Sequence, residues 1–178
     1  MALSSLIHQK PYEHINQQIR RHYITFVPYL FIFLLLLLMP AGLYFLFANI
    51  FPTLLESAVA LPLLMLSASV YYLSVTLFIY SYFVTFYLDL VIITNDRMVD
   101  IEQSSLFART IAEVDLYQIQ DATSEVKGFL PSLFNYGNII IQTAGTVPRF
   151  AIPNAPNPHQ LRQRILDLAA EDKKFHSK

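Results

Sequence analysis

The sequence contains no cysteine, and only 14% of its residues are charged. Without cysteine, the chain can form no disulfide, thiolate-zinc site or iron–sulfur cluster, and it has no cysteine nucleophile. The formal net charge of −1 at pH 7 gives no overall attraction to nucleic acid. We therefore expect no nucleic-acid partner.

Charge is most scarce in the first half of the chain, where residues 22–55 and 57–88 contain no Lys, Arg, Asp or Glu. The whole chain is 54% hydrophobic, with a mean hydropathy of +0.43. A helix needs about 20 apolar residues to cross a bilayer, and both segments exceed that length. The sequence predicts transmembrane helices over residues 23–51 and 58–88. The segment before the first predicted helix is too long for the start of a signal peptide, and the apolar run of that helix exceeds a signal-peptide core.

Basic residues predict the orientation of these helices. Three precede the first span and nine follow the second, whereas the loop over residues 52–57 carries only Glu56. The positive-inside rule then places both termini in the cytoplasm and the short loop outside. The prediction is a multi-pass inner-membrane protein with a cytoplasmic segment over residues 1–22. No charged residue lies in the middle of either span, which argues against a transporter.

Small side chains recur every seven residues along the second span, at Ala60, Ser67, Ser74 and Ser81. In lipid, small residues let two helix backbones approach closely. The stripe predicts either packing between the two helices of the hairpin, which we favour, or a face for homo-oligomer formation.

From Asp89 the composition becomes that of a water-soluble domain, predicted over residues 89–170 with a tail over 171–178. Short segments rich in β-branched residues alternate with turn signals, which favours an antiparallel sandwich or small barrel. The segments are LDLVIIT, RMVDIEQ, RTIAEVDL, QDATSEVK, GNIIIQTA and VPRFAIP.

The domain ends in a predicted amphipathic helix. Asn157 is the expected N-cap, Pro158 suits the first helical position and Gln160 the third. Leu161 and Ile165 begin an apolar stripe that continues at Leu168, and it should pack on the sheet. Strands closed by one such helix are the order of a pleckstrin-homology (PH)-like fold.

These motifs resemble the YdbS-like bacterial PH domain family. The resemblance rests on ITNDR…IEQ, IQDATSEVKGFL…NYGNIIIQTAG and the helix start NPHQL, and RRHYITF resembles that family's entry into the first span. It covers about residues 20 to 168. It implies an inner-membrane helix hairpin that carries a cytoplasmic, mainly β PH-like domain with antiparallel strands, a partly open barrel and a C-terminal amphipathic helix.

Two sets of basic residues are candidates for contacts outside the chain. Arg20, Arg21 and His22 directly precede the first span and are predicted to lie at the membrane interface. Arg97, Lys127 and Arg149 are candidate contacts for a lipid headgroup or small anion. The turn TNDRM offers only Arg97, beside an aspartate, so it does not predict a phosphoinositide site.

The segment KGFLPSLFNYG holds an apolar knot of Phe129, Leu130, Leu133 and Phe134 on one face of a predicted short helix. This knot could plug the barrel, dock a partner or rest on the membrane. A domain of this size can hardly leave so much apolar area in water, so we predict a buried plug or lid.

We find no nucleophile–base pair, phosphate-binding loop or histidine pair with metal-ligand spacing, and we predict no enzyme activity, cofactor or metal. Two hypotheses remain. The first is a membrane-anchored module that displays the PH-like domain for protein interaction or self-assembly. The alternative is a module that binds a lipid headgroup or small anion.

Overall fold

The computed structural model describes Lys10 and residues 12–55, 57–144 and 149–176. Glu56, in the predicted loop over residues 52–57, lies outside the described residues. The chain divides into two compact units. One holds residues 24–84; the other combines the residues up to Tyr23 with those from Thr85 onward.

The first unit is helical. A 3-10 turn over Tyr23–Phe26 leads into α1 (Val27–Ile50), and the short α2 (Pro52–Leu55) precedes α3 (Ala60–Leu88). Both long helices have the length and apolar composition needed to cross a membrane. They begin a few residues later than the predicted spans, which started at residues 23 and 58.

The two long helices run antiparallel. The Tyr71 hydroxyl donates to the Leu36 carbonyl at 2.9 Å. Towards the other end, the rings of Tyr29 and Tyr82 stack with centroids 4.1 Å apart. Residue numbers therefore rise along one helix as they fall along the other, as a hairpin requires.

The small-residue stripe does not form this contact. Its central members, Ser67 and Ser74, are exposed, and their hydroxyls donate to carbonyl groups one turn earlier in the same helix. In the middle of α3 the partly buried positions are instead Ala68, Tyr71 and Val75, whereas the end members of the stripe, Ala60 and Ser81, are partly buried. The favoured prediction, that the stripe packs the hairpin, is wrong for its central positions, because a neighbouring face of the helix is the buried one.

The second unit contains two antiparallel sheets that do not close into one barrel. A short helix, α4 (Phe129–Phe134), connects two strands of the second sheet, and α5 (Pro158–His176) ends the described chain. The first sheet has the order β1 (Ile15–Ile19), β2 (Leu90–Thr94), β3 (Arg97–Ser105), β4 (Ala108–Asp115); the second has the order β5 (Ile119–Glu125), β6 (Tyr136–Thr143), β7 (Arg149–Pro156).

The core lies between the two sheets and α5. Alternate strand residues point inward, so that Ile93, Met98 and Ile141 are fully buried in one cluster. From α5, Leu161 and Ile165 enter the same cluster, as the apolar stripe predicted. The opposite face of the first sheet carries a smaller buried cluster around Ile92 and Val99.

Strand β1 corrects the predicted domain boundaries. Residues 1–22 were treated as a separate cytoplasmic segment, but β1 pairs with β2 in a register that joins Ile15 to Thr94 and Ile19 to Val91. Ile19 is buried in the main core. The domain therefore begins before the first apolar helix, and it extends to His176 because α5 occupies most of the predicted tail.

Turn and helix-start signals predicted local structure well. Asn95 and Asp96 form the turn between β2 and β3, and the Thr94 hydroxyl accepts backbone N–H groups from Asp96 and Arg97. Helix α5 begins at Pro158, as predicted.

Candidate functional site

The three predicted ligand contacts do not converge. Arg97 begins β3 in the first sheet, whereas Arg149 begins β7 in the second and Lys127 follows β5. Lys127 lies two residues beyond Glu125, which pairs with Asn138, whereas Arg149 pairs with Gln142. Four residues of strand separate those levels, or about 13 Å. The structure therefore brings none of the three together as a joint anion site.

Arg97 has a structural role instead. Its Nε donates to Glu13 Oε1 at 2.9 Å, and Nη1 donates to Glu113 Oε2 at 2.6 Å. Only 12% of the Arg97 side chain is exposed, and the Glu13 side chain is fully buried. Two carboxylates already hold the guanidinium, so the structure gives no support to the headgroup contact predicted at Arg97.

This ion pair fastens the N-terminal residues to the β2–β3 turn. Burial raises the pKa of Glu13, but hydrogen bonds from Arg97 and from the Lys10 backbone outweigh it and hold the pKa below its usual value. Lys10 also donates to Asp96, and this hydrogen bond raises the lysine pKa. The segment before β1 is thus held by charge as well as by strand pairing.

The predicted membrane-interface residues each contact the domain. Arg20 lies over the Tyr87 ring, 4.6 Å from its centroid, in a cation–π contact. His22 stacks on Tyr136 with centroids 5.3 Å apart, and its backbone N–H donates to Asn154. Burial lowers the pKa of His22, so its ring favours the neutral form. His22 is a packed residue of the domain, in addition to any role at the membrane.

Arg21 borders a polar pocket of about 270 Å³, beside residues where β1 ends and β2 begins. Its Nη2 lies 2.7 Å from Asp89 Oδ2, an ion pair without hydrogen-bond geometry. The other Asp89 oxygen accepts the backbone N–H of Gln103 at 2.7 Å. Burial raises the pKa of Asp89, against the opposing effects of Gln103 and Arg21.

Two more carboxylates, Asp100 and Glu102, line this pocket. Burial and then the neighbouring charges of Glu102 and Asp89 raise the pKa of Asp100 to about 6. The pocket can therefore hold a proton or accept a cationic group. Its lining includes no Ser, Thr, His or Lys to act as a nucleophile or base. Within the described part of the chain, no group of three or more such acidic or histidine side chains is arranged to hold a metal.

Helix α4 is the predicted short helix, but its apolar residues are not buried. Phe129 is 80% exposed and Leu133 63%, and Leu130 and Phe134 are also exposed. The prediction of a barrel plug is therefore wrong. Side chains from the strands and α5 form the buried core between the two sheets without α4.

The position of α4 is fixed by its ends. Gly128 enters it with a φ of +111°, which favours glycine, and Asn135 leaves it in the left-handed region. The Asn135 side chain donates to Asn157 Oδ1 at 2.7 Å, and the Asn157 backbone N–H donates to the Asn135 carbonyl at 2.9 Å. These bonds tie α4 to the start of α5, so its apolar face is held outward.

A second surface, which the sequence analysis did not identify, is a cleft of about 630 Å³. Apolar side chains of Tyr12, Leu168 and Phe175 line it beside the acidic Glu171 and Asp172. We call it the α5 cleft. Its components come from opposite ends of the sequence, so no local pattern indicated it.

Comparison with known proteins supports the architecture. A family model described as "Bacterial PH domain" matches residues 24–169, which is most of the chain. The chain belongs to the bacterial PH domain family. No curated protein matches it. A DUF1696 family protein with a pleckstrin-homology domain from Shewanella loihica PV-4 is a structural neighbour, at 15% identity and a TM-score of 0.35, covering 48% of this chain and 70% of its own.

The family assignment confirms the predicted PH-like fold: two long apolar helices, antiparallel sheets that remain partly open, and a closing C-terminal helix. PH-domain families are generally non-catalytic. The bacterial PH domain with two candidate membrane helices therefore fits a membrane-anchored module.

Proposed function

We propose that this protein is a non-enzymatic interaction module of the YdbS-like type, held at the cytoplasmic face of the inner membrane. The observation that carries the proposal is the pairing of β1 with β2. These strands stand on either side of α1 and α3 in sequence, yet they share one sheet. Both connections between the domain and the apolar helices are therefore short.

The same pairing constrains the topology. Ile19 and Val91 are partners in the sheet, so they occupy the same side of any membrane that the intervening chain crosses. The chain between them must cross an even number of times, which agrees with two spans. Together with the basic residues of the domain, this supports cytoplasmic termini.

A cysteine-free sequence makes this topology easy to test. Ser57 lies between α2 and α3, and Gln120 is an exposed residue of β5. In sealed cells, a membrane-impermeant maleimide should label Ser57→Cys, whereas Gln120→Cys should react only after permeabilisation. Labelling of Gln120→Cys in sealed cells would contradict the proposal.

We assign partner binding to the α5 cleft. It combines the exposed rings of Tyr12 and Phe175 with the exposed carboxylate of Glu171, and the buried Asp172 lies beside them. Aromatic anchors beside acidic groups suit a protein segment that carries apolar and basic residues. The headgroup-binding alternative loses its support, because Arg97 is held by Glu13 and Glu113 and the three predicted basic contacts are dispersed.

The partner can be tested by charge reversal. A photo-crosslinker at Phe175, in protein purified in mild detergent, should capture a discrete protein or a second copy of the chain. Glu171→Lys should abolish that adduct, whereas Asp167→Lys, an exposed residue of the same helix outside the cleft lining, should not. An adduct unaffected by Glu171→Lys, or a stoichiometric co-purified lipid with no protein adduct, would contradict the assignment.

A further inference from the structure

Two parts of the domain expose large apolar side chains at their tips. Phe107, in the turn between β3 and β4, is 98% exposed. Helix α4 exposes Phe129 and Leu133. Scattered exposed hydrophobic residues are ordinary on soluble proteins, so each alone requires no explanation. Their shared location at one end of the fold does require an explanation.

Strand direction places Phe107 at the end of the first sheet where β2 begins. Leu90, the first residue of β2, pairs with Ile101. Strand β3 continues past that level to Ser105, and Gln103 is the residue that binds Asp89. At about 3.3 Å per residue, the turn that carries Phe107 projects roughly 10 Å beyond Asp89.

Strand direction also places α4 near the residues that lead into α1. Helix α4 ends one residue before Asn135, and Tyr136 then begins β6. The Tyr136 ring stacks on His22, which in turn stacks on Tyr23 with centroids 4.6 Å apart. Helix α4 therefore lies at the end of the domain from which the chain leaves at Tyr23.

Both connections to the apolar helices emerge at this end. The chain leaves the domain after Tyr23 and returns at Thr85, shortly before β2 begins at Leu90. The opposite end carries the polar turn of Asn95 and Asp96, to which Lys10 is bound. If the apolar helices span a bilayer, the surface of that bilayer passes close to the end that exposes Phe107 and α4.

Both signs of charge lie at this end, with Asp89, Asp100 and Glu102 beside Arg20 and Arg21, so the exposed apolar side chains favour a lipid surface more than the charge does. Arg20 adjoins the start of the first span, and exposed Arg109 pairs in register with Gln103 near the β3–β4 turn. Arginine next to exposed aromatic and leucine side chains is the composition of segments that lie in the interface of anionic membranes.

We propose that the β3–β4 turn and α4 insert into the interfacial layer of the bilayer, with Phe107, Phe129 and Leu133 among the headgroups and upper acyl chains. This inference rests on the proposed membrane anchoring and adds a second, non-spanning contact.

Single cysteines carrying an environment-sensitive fluorophore test this contact. Full-length Phe107→Cys, Phe129→Cys and Leu133→Cys, reconstituted in phosphatidylethanolamine–phosphatidylglycerol vesicles, should show blue-shifted emission and quenching by lipids with a nitroxide high on the acyl chain. Tyr117→Cys is the matched control, because it is an exposed aromatic residue beside Leu116, whose backbone N–H donates to Asp96 at the opposite end. It should be neither shifted nor quenched.

A label at Leu73→Cys, exposed in the middle of α3, distinguishes a failure of the membrane anchoring from a failure of the interfacial contact. If Leu73→Cys is not quenched by lipids with a nitroxide near the end of the acyl chain, the membrane anchoring itself is wrong. If Leu73→Cys is quenched while Phe107→Cys and Phe129→Cys match the Tyr117→Cys control, only the present inference is overturned. A blue shift at Phe107 and Phe129 without lipid quenching would also overturn it, since protein would then cover the surface.

Discussion

Gly137, the second residue of β6, allows the strand to lie close to β5. A β-carbon at this position would lie well inside van der Waals contact of the Glu125 carbonyl oxygen, and 3.0 Å from Val126 Cγ2. The opposing oxygen belongs to the backbone, so it cannot move aside by a change of rotamer. We expect Gly137→Ala to force β5 and β6 apart next to α4.

Overpacking of this kind lowers the free energy of unfolding by about 1–3 kcal/mol. Because a backbone atom is involved, we expect a value towards the upper end. With a urea dependence of about 1–3 kcal/mol per molar, the unfolding midpoint should fall by roughly 1 M.

The absence of cysteine provides the assay. Ala169 is a buried core residue of α5, so Ala169→Cys should react with a thiol reagent only when the domain unfolds. Pulse labelling across a urea series then gives the midpoint for the full chain in mild detergent. Gly42→Ala is the control, because a β-carbon there meets no atom within 4 Å. An equal midpoint for Gly137→Ala and the parent chain would refute the reasoning.

The same labelling assay tests three further predictions. Burial raises the pKa of Asp100 from its ordinary value of 3.8 to about 6. Its contribution to stability is therefore complete below pH 3.8 and is lost as the pH rises through 6. Asp100→Asn should remove this pH dependence and raise the free energy of unfolding at pH 7 by about 1 kcal/mol, after allowance for solvent screening. An unchanged dependence of stability on pH would exclude the raised pKa. Glu13→Gln should lower the free energy of unfolding by about 2–3 kcal/mol, because it removes one of the two carboxylates that hold Arg97. The control Glu125→Gln, at an exposed ion pair, should change it by less than about 1 kcal/mol. Equal effects of these two substitutions would contradict the structural role of Glu13. Ile19→Ala should cost about 2–4 kcal/mol if β1 is part of the core, and no effect would show that β1 is dispensable.

Local signals were sufficient to predict most of the domain. Six β-branched segments after Asp89 correspond to β2–β7, because turn residues separate them and each pairs with a neighbour in sequence. Pro158 fixed the start of α5 for a purely local reason, since its missing N–H is needed by no helical partner there.

Contacts between residues far apart in the sequence could not be predicted from local patterns. The segment INQQI has no regular alternation and lies before the first apolar helix, so nothing local indicated that β1 pairs with β2. Arg97 was predicted to contact a lipid headgroup or small anion because its actual partner, Glu13, is distant in sequence.

The plug prediction failed for a different reason. It assumed that four apolar residues in a small domain must be buried in protein. Their exposure on α4 is compatible with a stable domain because strands and α5 complete the core without them. Sequence alone cannot distinguish a side chain that contacts protein from one that contacts lipid.

The pairing of β1 with β2 has a consequence for the order of events during synthesis. The ribosome makes Ile19 roughly seventy residues before its partner Val91. At about 5–20 residues per second, β1 waits several seconds without its neighbour. Both apolar helices emerge in that interval, so the domain cannot complete its first sheet until the second helix has been made. If both helices span the membrane as proposed, failure of either one to insert would leave β1 and β2 on opposite sides of it, and the first sheet could not form.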